Sequence, residues 1–122
     1  MARILVIDDE DCVRATVRRF LTSAGHEVVE AEDGESGVLM QKIDPFDLII
    51  TDIVMPRKEG LETIADIRRA KPNQKIIAMT GGGYRKSGQD LYVNAAETFG
   101  AAHVLIKPFG EHDLMRCVND CL

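Results

Sequence analysis

The chain contains no tryptophan, and aromatic residues make up only 5% of its 122 residues. A flavin site, which wants aromatic stacking, finds little to build on. Basic charge is not in excess either: 15 Lys and Arg stand against 20 Asp and Glu, a net charge of −5. That excludes a nonspecific binder of phosphate backbones, which needs a basic face. Cysteine occurs only at Cys12, Cys117 and Cys121. An odd number at irregular spacing is no disulfide framework and fits reduced, partly buried thiols. Cys117 and Cys121 lie one helical turn apart with His112 close by. No second ligand pair follows at zinc-like spacing, so a helix-face role is preferred to a metal site. No apolar run approaches the roughly 20 residues that span a bilayer. The opening MARILVIDD carries one Arg and no small-residue cleavage site, so it is not a secretory signal. These absences predict a soluble cytoplasmic protein without membrane contact or direct nucleic acid binding. Repeats, low-complexity segments and linkers are missing as well, which predicts one domain over residues 1–122.

What the chain does have is an alternation of short apolar runs with longer helical patterns. Hydrophobic residues are 45% of it and charged residues 29%, as in an ordinary globular domain, and its length allows a real core. Residues 3–8 (RILVID), 27–32 (EVVEAE), 48–52 (LIITD), 75–80 (KIIAMT) and 103–107 (HVLIK) are short and rich in Ile and Val, the pattern of buried parallel strands. EVVEAE is the most polar and belongs at an edge. Helical periodicity fills the gaps at about 10–24, 34–43, 60–71, 88–99 and 110–121. Val13, Val17, Phe20, Leu21 and Ala24 share one face of the first helix, and Gly25 can end it in the left-handed conformation. Asp33 is the candidate N-cap of the second. Leu61, Ile64 and Ile67 face inward on the third, which Pro72 stops. Ser87 and Asp90 pair like a capping box before the fourth. Leu114, Val118 and Cys121 line the inner face of the fifth. Five βα units predict an α/β fold with a single doubly wound, five-stranded parallel sheet. Strand order 2-1-3-4-5 sets strands 1 and 3 together at the switch point, where such sheets bind ligands outside their carboxyl ends.

The residues at those carboxyl ends carry the chemistry. The first strand ends in Asp8 and Asp9, the third in Asp52, the fourth in Thr80 ahead of Gly81, Gly82 and Gly83, and the fifth in Lys107 and Pro108. Each has a plain structural reading. An Asp after a strand caps the next helix, Thr suits a strand, and a Lys before Pro suits a solvated loop. Three carboxylates, a hydroxyl and an amine on one rim, with no comparable set expected opposite, point to function. Two carboxylates about 4 Å apart repel by about 4 kcal/mol at an effective dielectric of about 20. A hard cation offsets that, and Mg²⁺ takes one or two carboxylates while keeping several waters. Glu10 and Asp11 need no metal, since the first turn of a helix favours acids. Metal, carboxylate and lysine together suit phosphoryl transfer. A carboxylate can be the nucleophile and form an aspartyl phosphate. Asp52, on the central strand and flanked by Asp8 and Asp9 as ligands, is the candidate.

VIDDE, LIITDIVMPRKEG, AMTG and GAAHVLIKPF resemble, in this order and spacing, the signatures of the receiver domain of two-component response regulators, over nearly the whole chain. The resemblance implies a flavodoxin-like (βα)5 fold with no output domain in residues 1–122. It implies a phosphoacceptor that assists its own phosphorylation and dephosphorylation, not an enzyme. Asp52 would accept a phosphoryl group from a sensor histidine kinase or a histidine phosphotransfer protein. Asp9, Asp52 and the backbone carbonyl of Val54 would bind Mg²⁺ directly, and Asp8 mostly through water. Lys107 would contact the phosphoryl group and precede a cis bond to Pro108. Thr80 would move to hydrogen-bond a phosphoryl oxygen and draw the 80–88 loop with it. Pro56 and Gly60 match the turn after the phosphorylated strand. The output would be altered binding of a downstream protein at the face of helix 4, strand 5 and helix 5, where Tyr92, Met115 and Arg116 are candidate contacts. The chain would act as a monomer or a phosphorylation-dependent dimer.

Departures from the family pattern qualify this. Val104 stands where an aromatic residue is usual, which argues against a ring-rotamer switch, and alternation turns its neighbour His103 to the other face. Lys58 replaces a usual apolar residue. GGGYRKSG after Thr80 is longer than in simple members and permissive in conformation. It is no P-loop, because no Gly stands at the required position before Lys86. Val54 and Gly82 occupy the positions that flank the attacking water, which implies a long-lived phosphoryl group. Two alternatives keep the fold and the family: a partner-binding module not regulated by phosphorylation, and the N-terminal receiver of a larger transcriptional regulator. An FMN protein of the same fold is disfavoured by the acids after strand 1, which would repel its phosphate. A metal-dependent aspartyl phosphatase is disfavoured by Val54, where a second Asp is usual.

Overall fold

Short Ile- and Val-rich strands pair side by side, and the helices between them cover both faces of the resulting sheet. The computed structural model describes residues 1–53, 60–81 and 96–122. In chain order they form β1 (Arg3–Ile7), α1 (Asp11–Ser23), β2 (Glu27–Ala31), α2 (Gly34–Ile43), β3 (Leu48–Asp52), α3 (Gly60–Ala70), β4 (Ile76–Thr80), a helical stretch α4 (96–99), β5 (His103–Ile106) and α5 (Glu111–Cys121). The sheet is parallel throughout, in the order β2-β1-β3-β4-β5, as the sequence pattern predicts. The polar β2 is an edge strand, and the central β3 and β4 are buried along their length.

Alternation sends Ile4 and Val6 to one face of the sheet and Leu5 and Ile7 to the other. On the first face Ile4, Val6, Ile50 and Met79 pack against Val17 and Leu21 of α1 and Leu114 and Val118 of α5. On the second, Leu5, Ile7 and Ile49 pack against Val38 of α2, Ile64 and Ile67 of α3, and Ala96 of α4. Burying one such Leu or Ile contributes on the order of 1.5–3 kcal/mol. The sheet therefore forms the stiff platform from which the rim residues project. α2 approaches β1 so closely that a Cβ on Gly37 would fall 2.8 Å from Ile7 Cγ1, so any larger residue there would force the Ile7 side chain to shift.

Helix ends follow the sequence with one correction. Gly25 adopts φ +92° after α1, and Asp33 Oδ1 accepts from the Ser36 N–H at 2.8 Å to cap α2. Ala24, expected on the apolar face of α1, is instead its exposed C-cap, because the helix ends at Ser23 and Ala24 at ψ 3° leaves the helical face. Ser87 and Asp90, and the start of the predicted fourth helix, lie outside the described residues. All three cysteines are free, and burial pushes the thiols of Cys117 and Cys121 up, as for inert packing thiols. Among the described residues no helix is long and apolar enough to cross a membrane.

Candidate functional site

Strand register assembles the rim. β1 and β3 pair with Ile7 opposite Thr51, so the next residues, Asp8 just past β1 and Asp52 at the last position of β3, stand side by side at the rim. β4 and β5 pair with Thr80 opposite Ile106, and the following Lys107 N–H donates to the Thr80 carbonyl at 2.7 Å. The Lys107 side chain then reaches back across the rim. Its Nζ lies 3.0 Å from Asp8 Oδ2, 3.1 Å from Asp52 Oδ2 and 3.5 Å from Glu10 Oε1. The Lys107–Pro108 peptide is cis, as the resemblance implies.

Burial sets the electrostatics of this cluster. Asp8 is 0% and Asp52 5% exposed. Loss of water pushes the Asp8 carboxyl above the ordinary carboxylate range, against the lowering effect of the Glu10 N–H at 2.9 Å and of Lys107. Burial alone would lower the Lys107 ammonium, but Asp52 and Asp8 outweigh it and hold Lys107 above its ordinary value. The Lys107 ammonium thus touches all three acids. Asp8, Glu10 and Asp52 each present a carboxylate oxygen within 4.8 Å of the others. This all-oxygen, net-negative donor set fits a hard cation such as Mg²⁺.

Thr80 ends β4 at 1% exposure, and its Oγ1 finds no hydrogen-bond partner among the described residues. A buried polar group left so costs roughly 1–3 kcal/mol.

The other predicted site residues are placed as follows. Asp9 is exposed and stands outside the group of close carboxylates. Glu10, not needed in the sequence reading, lies within it. The local cause is the entry to α1: Glu10 is the N-cap with extended torsions, and Asp8 Oδ1 holds its N–H. A third consecutive acid was the available signal for it, but macrodipole arguments accounted for that acid equally well. Val54, Pro56, Lys58, Gly82, Gly83, Lys86 and Tyr92 lie outside the described residues. Val104 packs beside the core under α2 and α3, and His103 turns the other way, its Nε2 3.8 Å from Asp120 Oδ2 of α5, as alternation predicts. The opposite rim, expected to hold no comparable set, is charged too. Arg3 meets Glu27 at 3.2 Å and Asp44 at 3.6 Å, and Asp47 Oδ2 accepts from the Arg3 N–H at 2.8 Å. Those acids are exposed, so burial, not charge alone, distinguishes the Lys107 rim.

Known proteins share this architecture. The response regulator receiver domain family matches residues 4–119. Protein CcdB of Bacillus subtilis is 35% identical over 121 residues, covering 98% of this chain and 96% of that protein. The chemotaxis protein CheY of Thermotoga maritima is 32% identical over 118 residues, covering 96% of this chain and 94% of CheY. The solved structure of the chemotaxis protein CheY4 of Vibrio cholerae superimposes with a TM-score of 0.87 at 27% identity, covering 100% of this chain and 99% of that one. Family, relatives and fold agree along almost the full length, and the chain therefore belongs to the receiver domains of two-component response regulators.

Proposed function

We propose that Asp52 accepts a phosphoryl group from the phosphohistidine of a sensor histidine kinase or histidine phosphotransfer protein, and that the rim converts this event into altered partner binding. The observation that carries the reading is the Lys107 ammonium at 3.1 Å from Asp52 and 3.0 Å from Asp8, a cation already in place beside the acceptor oxygen. In the transfer an Asp52 Oδ–P bond forms as the N–P bond of phosphohistidine breaks. The imidazole keeps the electron pair and takes a proton from solvent. Lys107 is positioned to meet the phosphoryl oxygens as they arrive. Asp9, Asp52 and the Val54 carbonyl would hold Mg²⁺, with Asp8 mostly through water. The ion supplies positive charge against the oxygens of the transferring group. The close grouping of Asp8, Glu10 and Asp52 supports an ion at this rim.

An aspartyl phosphate adds a charge of about −1.5 to −2 and strong acceptors. Thr80 Oγ1, buried and without a partner among the described residues, stands to gain most from such an acceptor. Its carbonyl is tied to the Lys107 N–H, so displacement of Thr80 is felt at the end of β5. Phe99 and Ile106 are exposed apolar residues of α4 and β5 and give the α4-β5-α5 face a surface for a downstream protein. The chain is a phosphoacceptor in this reading, and it does not turn over substrate. The test is intact mass after exposure to a small acyl phosphate and Mg²⁺. Wild type gains the mass of one phosphoryl group and Asp52→Ala gains none. No gain in wild type, or an undiminished gain in Asp52→Ala, would overturn the reading.

A further inference from the structure

Arg14 lies beside the acidic rim, yet it touches no carboxylate of Asp8, Asp9 or Asp52 and takes part in no step above. Each nitrogen of its guanidinium makes one hydrogen bond. Nη1 donates to the Asp8 backbone carbonyl at 2.7 Å, Nη2 to Asp11 Oδ1 at 2.6 Å, and Nε to Glu30 Oε1 at 3.1 Å. Glu30 on β2 is held in turn by Arg18 Nη1, 2.7 Å from its other oxygen. The Arg14 side chain is only 14% exposed, so its bonds to the Asp8 carbonyl and Glu30 are partly shielded from water, while Asp11 is exposed. On its other side the Asp8 N–H donates to the Ala31 carbonyl at 3.1 Å. The Asp8 main chain is thus clamped at both ends, by the strand ladder and by Arg14.

The clamped carbonyl belongs to the planar peptide that also carries the Asp9 N–H. Holding that oxygen sets the plane from which Asp9 departs. Asp9 is exposed and outside the carboxylate group. We propose that Arg14, anchored by Glu30, is a positioning residue for the metal-facing acids through the Asp8–Asp9 peptide. This rests on the metal-assisted phosphoacceptor reading and extends it to a residue that meets neither ion nor phosphoryl group. A planar guanidinium serves three acceptors at once, which a lysine ammonium on a flexible stem does not.

Charge and positioning predict opposite signs, which makes the proposal testable. Removing a cation beside an acidic cluster leaves the cluster more negative and, on charge alone, tightens a divalent cation. Losing the clamp loosens it. Mn²⁺ binding is followed by electron paramagnetic resonance in wild type, Arg14→Met, Arg14→Lys, Glu30→Gln and Arg69→Met. The last removes the same charge from the exposed Arg69–Asp66 pair on α3. Arg14→Met and Arg14→Lys are each expected to weaken Mn²⁺ by about 10-fold, Glu30→Gln by less, and Arg69→Met not at all. A second readout needs no metal: the ¹⁵N amide resonance of Asp9 in the metal-free protein moves when the Asp8 carbonyl loses its guanidinium donor. Looser Mn²⁺ binding with a moved Asp9 amide supports the proposal. Unchanged or tighter binding in Arg14→Met, or an Asp9 amide that stays in place, overturns it. If wild type binds no Mn²⁺, the metal reading itself fails and the Asp9 amide alone decides the positioning role. Should Arg14→Met not fold, Glu30→Gln, with its fold checked by the same spectra, carries both readouts.

Discussion

The two rims of the sheet carry similar charges and treat them in opposite ways. At the amino rim Arg3 meets Glu27 and Asp44, whose side chains are 60% and 55% exposed. At the carboxyl rim Lys107 meets Asp8, Asp52 and Glu10, and the first two are buried. Exposed pairs like the former are screened by water and contribute about 0–1 kcal/mol each. In the latter the ions have lost much of their water, and each depends on its partners. An arriving cation or phosphoryl group therefore changes little at the amino rim and shifts the whole balance at the carboxyl rim. Burial is what makes the carboxyl-rim acids depend on their partners.

Breaking that balance should have the largest effect. Lys107→Met leaves two buried carboxylates without their ammonium, and urea unfolding of the metal-free protein is expected to show a loss of about 3 kcal/mol. Added Mg²⁺ should recover part of it. A loss no larger than that of an amino-rim substitution would erase the distinction between the rims.

Asp8→Asn acts in the other direction. The folded Asp8 carboxyl titrates above its unfolded value because burial disfavours its charge. Its favourable contribution is complete below the unfolded pKa of about 3.9 and is lost as pH rises through the folded pKa. Ionised Asp8 is thus a burden at neutral pH. The substitution should stabilise the metal-free protein near pH 7, with the gain shrinking toward pH 4. Urea midpoints across that range check the sign.

Glu30 sharpens the contrast, because it is a carboxylate that meets two guanidinium groups. The Arg18 hydrogen bond, with that of Arg14, holds it below the ordinary range. Its stabilisation is present above the unfolded pKa of about 4.3 and is lost as pH falls through the folded pKa. Glu30→Gln should cost about 1 kcal/mol near neutrality and nothing in strong acid, opposite in pH sense to Asp8→Asn. The smallest effect belongs to Arg3→Met, about 0.5 kcal/mol, read from the same denaturation curves.

Much of this was legible in the sequence. Ile4–Ile7, Leu48–Ile50 and Ile76–Ile77 are apolar runs that could only be buried strands, and Gly25 and Asp33 marked helix ends that the structure retains. Asp8, Asp52, Thr80 and Lys107 could be assigned to one rim without coordinates, because parallel strands bring all their carboxyl ends to one side. The choice between Asp9 and Glu10 was not legible. A side chain just past a strand points where the cap torsions and the Asp8 Oδ1 bond send it, and neither is a property of residue type. The charged amino rim escaped notice because Arg3, Glu27 and Asp44 are unremarkable singly and meet only when β1 and β2 pair. Arg14 gains its role only in the fold, where β2 supplies Glu30 to hold it.

Sequence by itself determined the element types, their order and the placing of Asp8, Asp52, Thr80 and Lys107 at one rim, because hydrophobic period and strand polarity are set by neighbours along the chain. Only the tertiary structure decided which acids lose their water and share Lys107. That outcome rests on a contact between residues 99 positions apart, and the pKa of a carboxylate is governed by what surrounds it in space, not by what adjoins it in the chain.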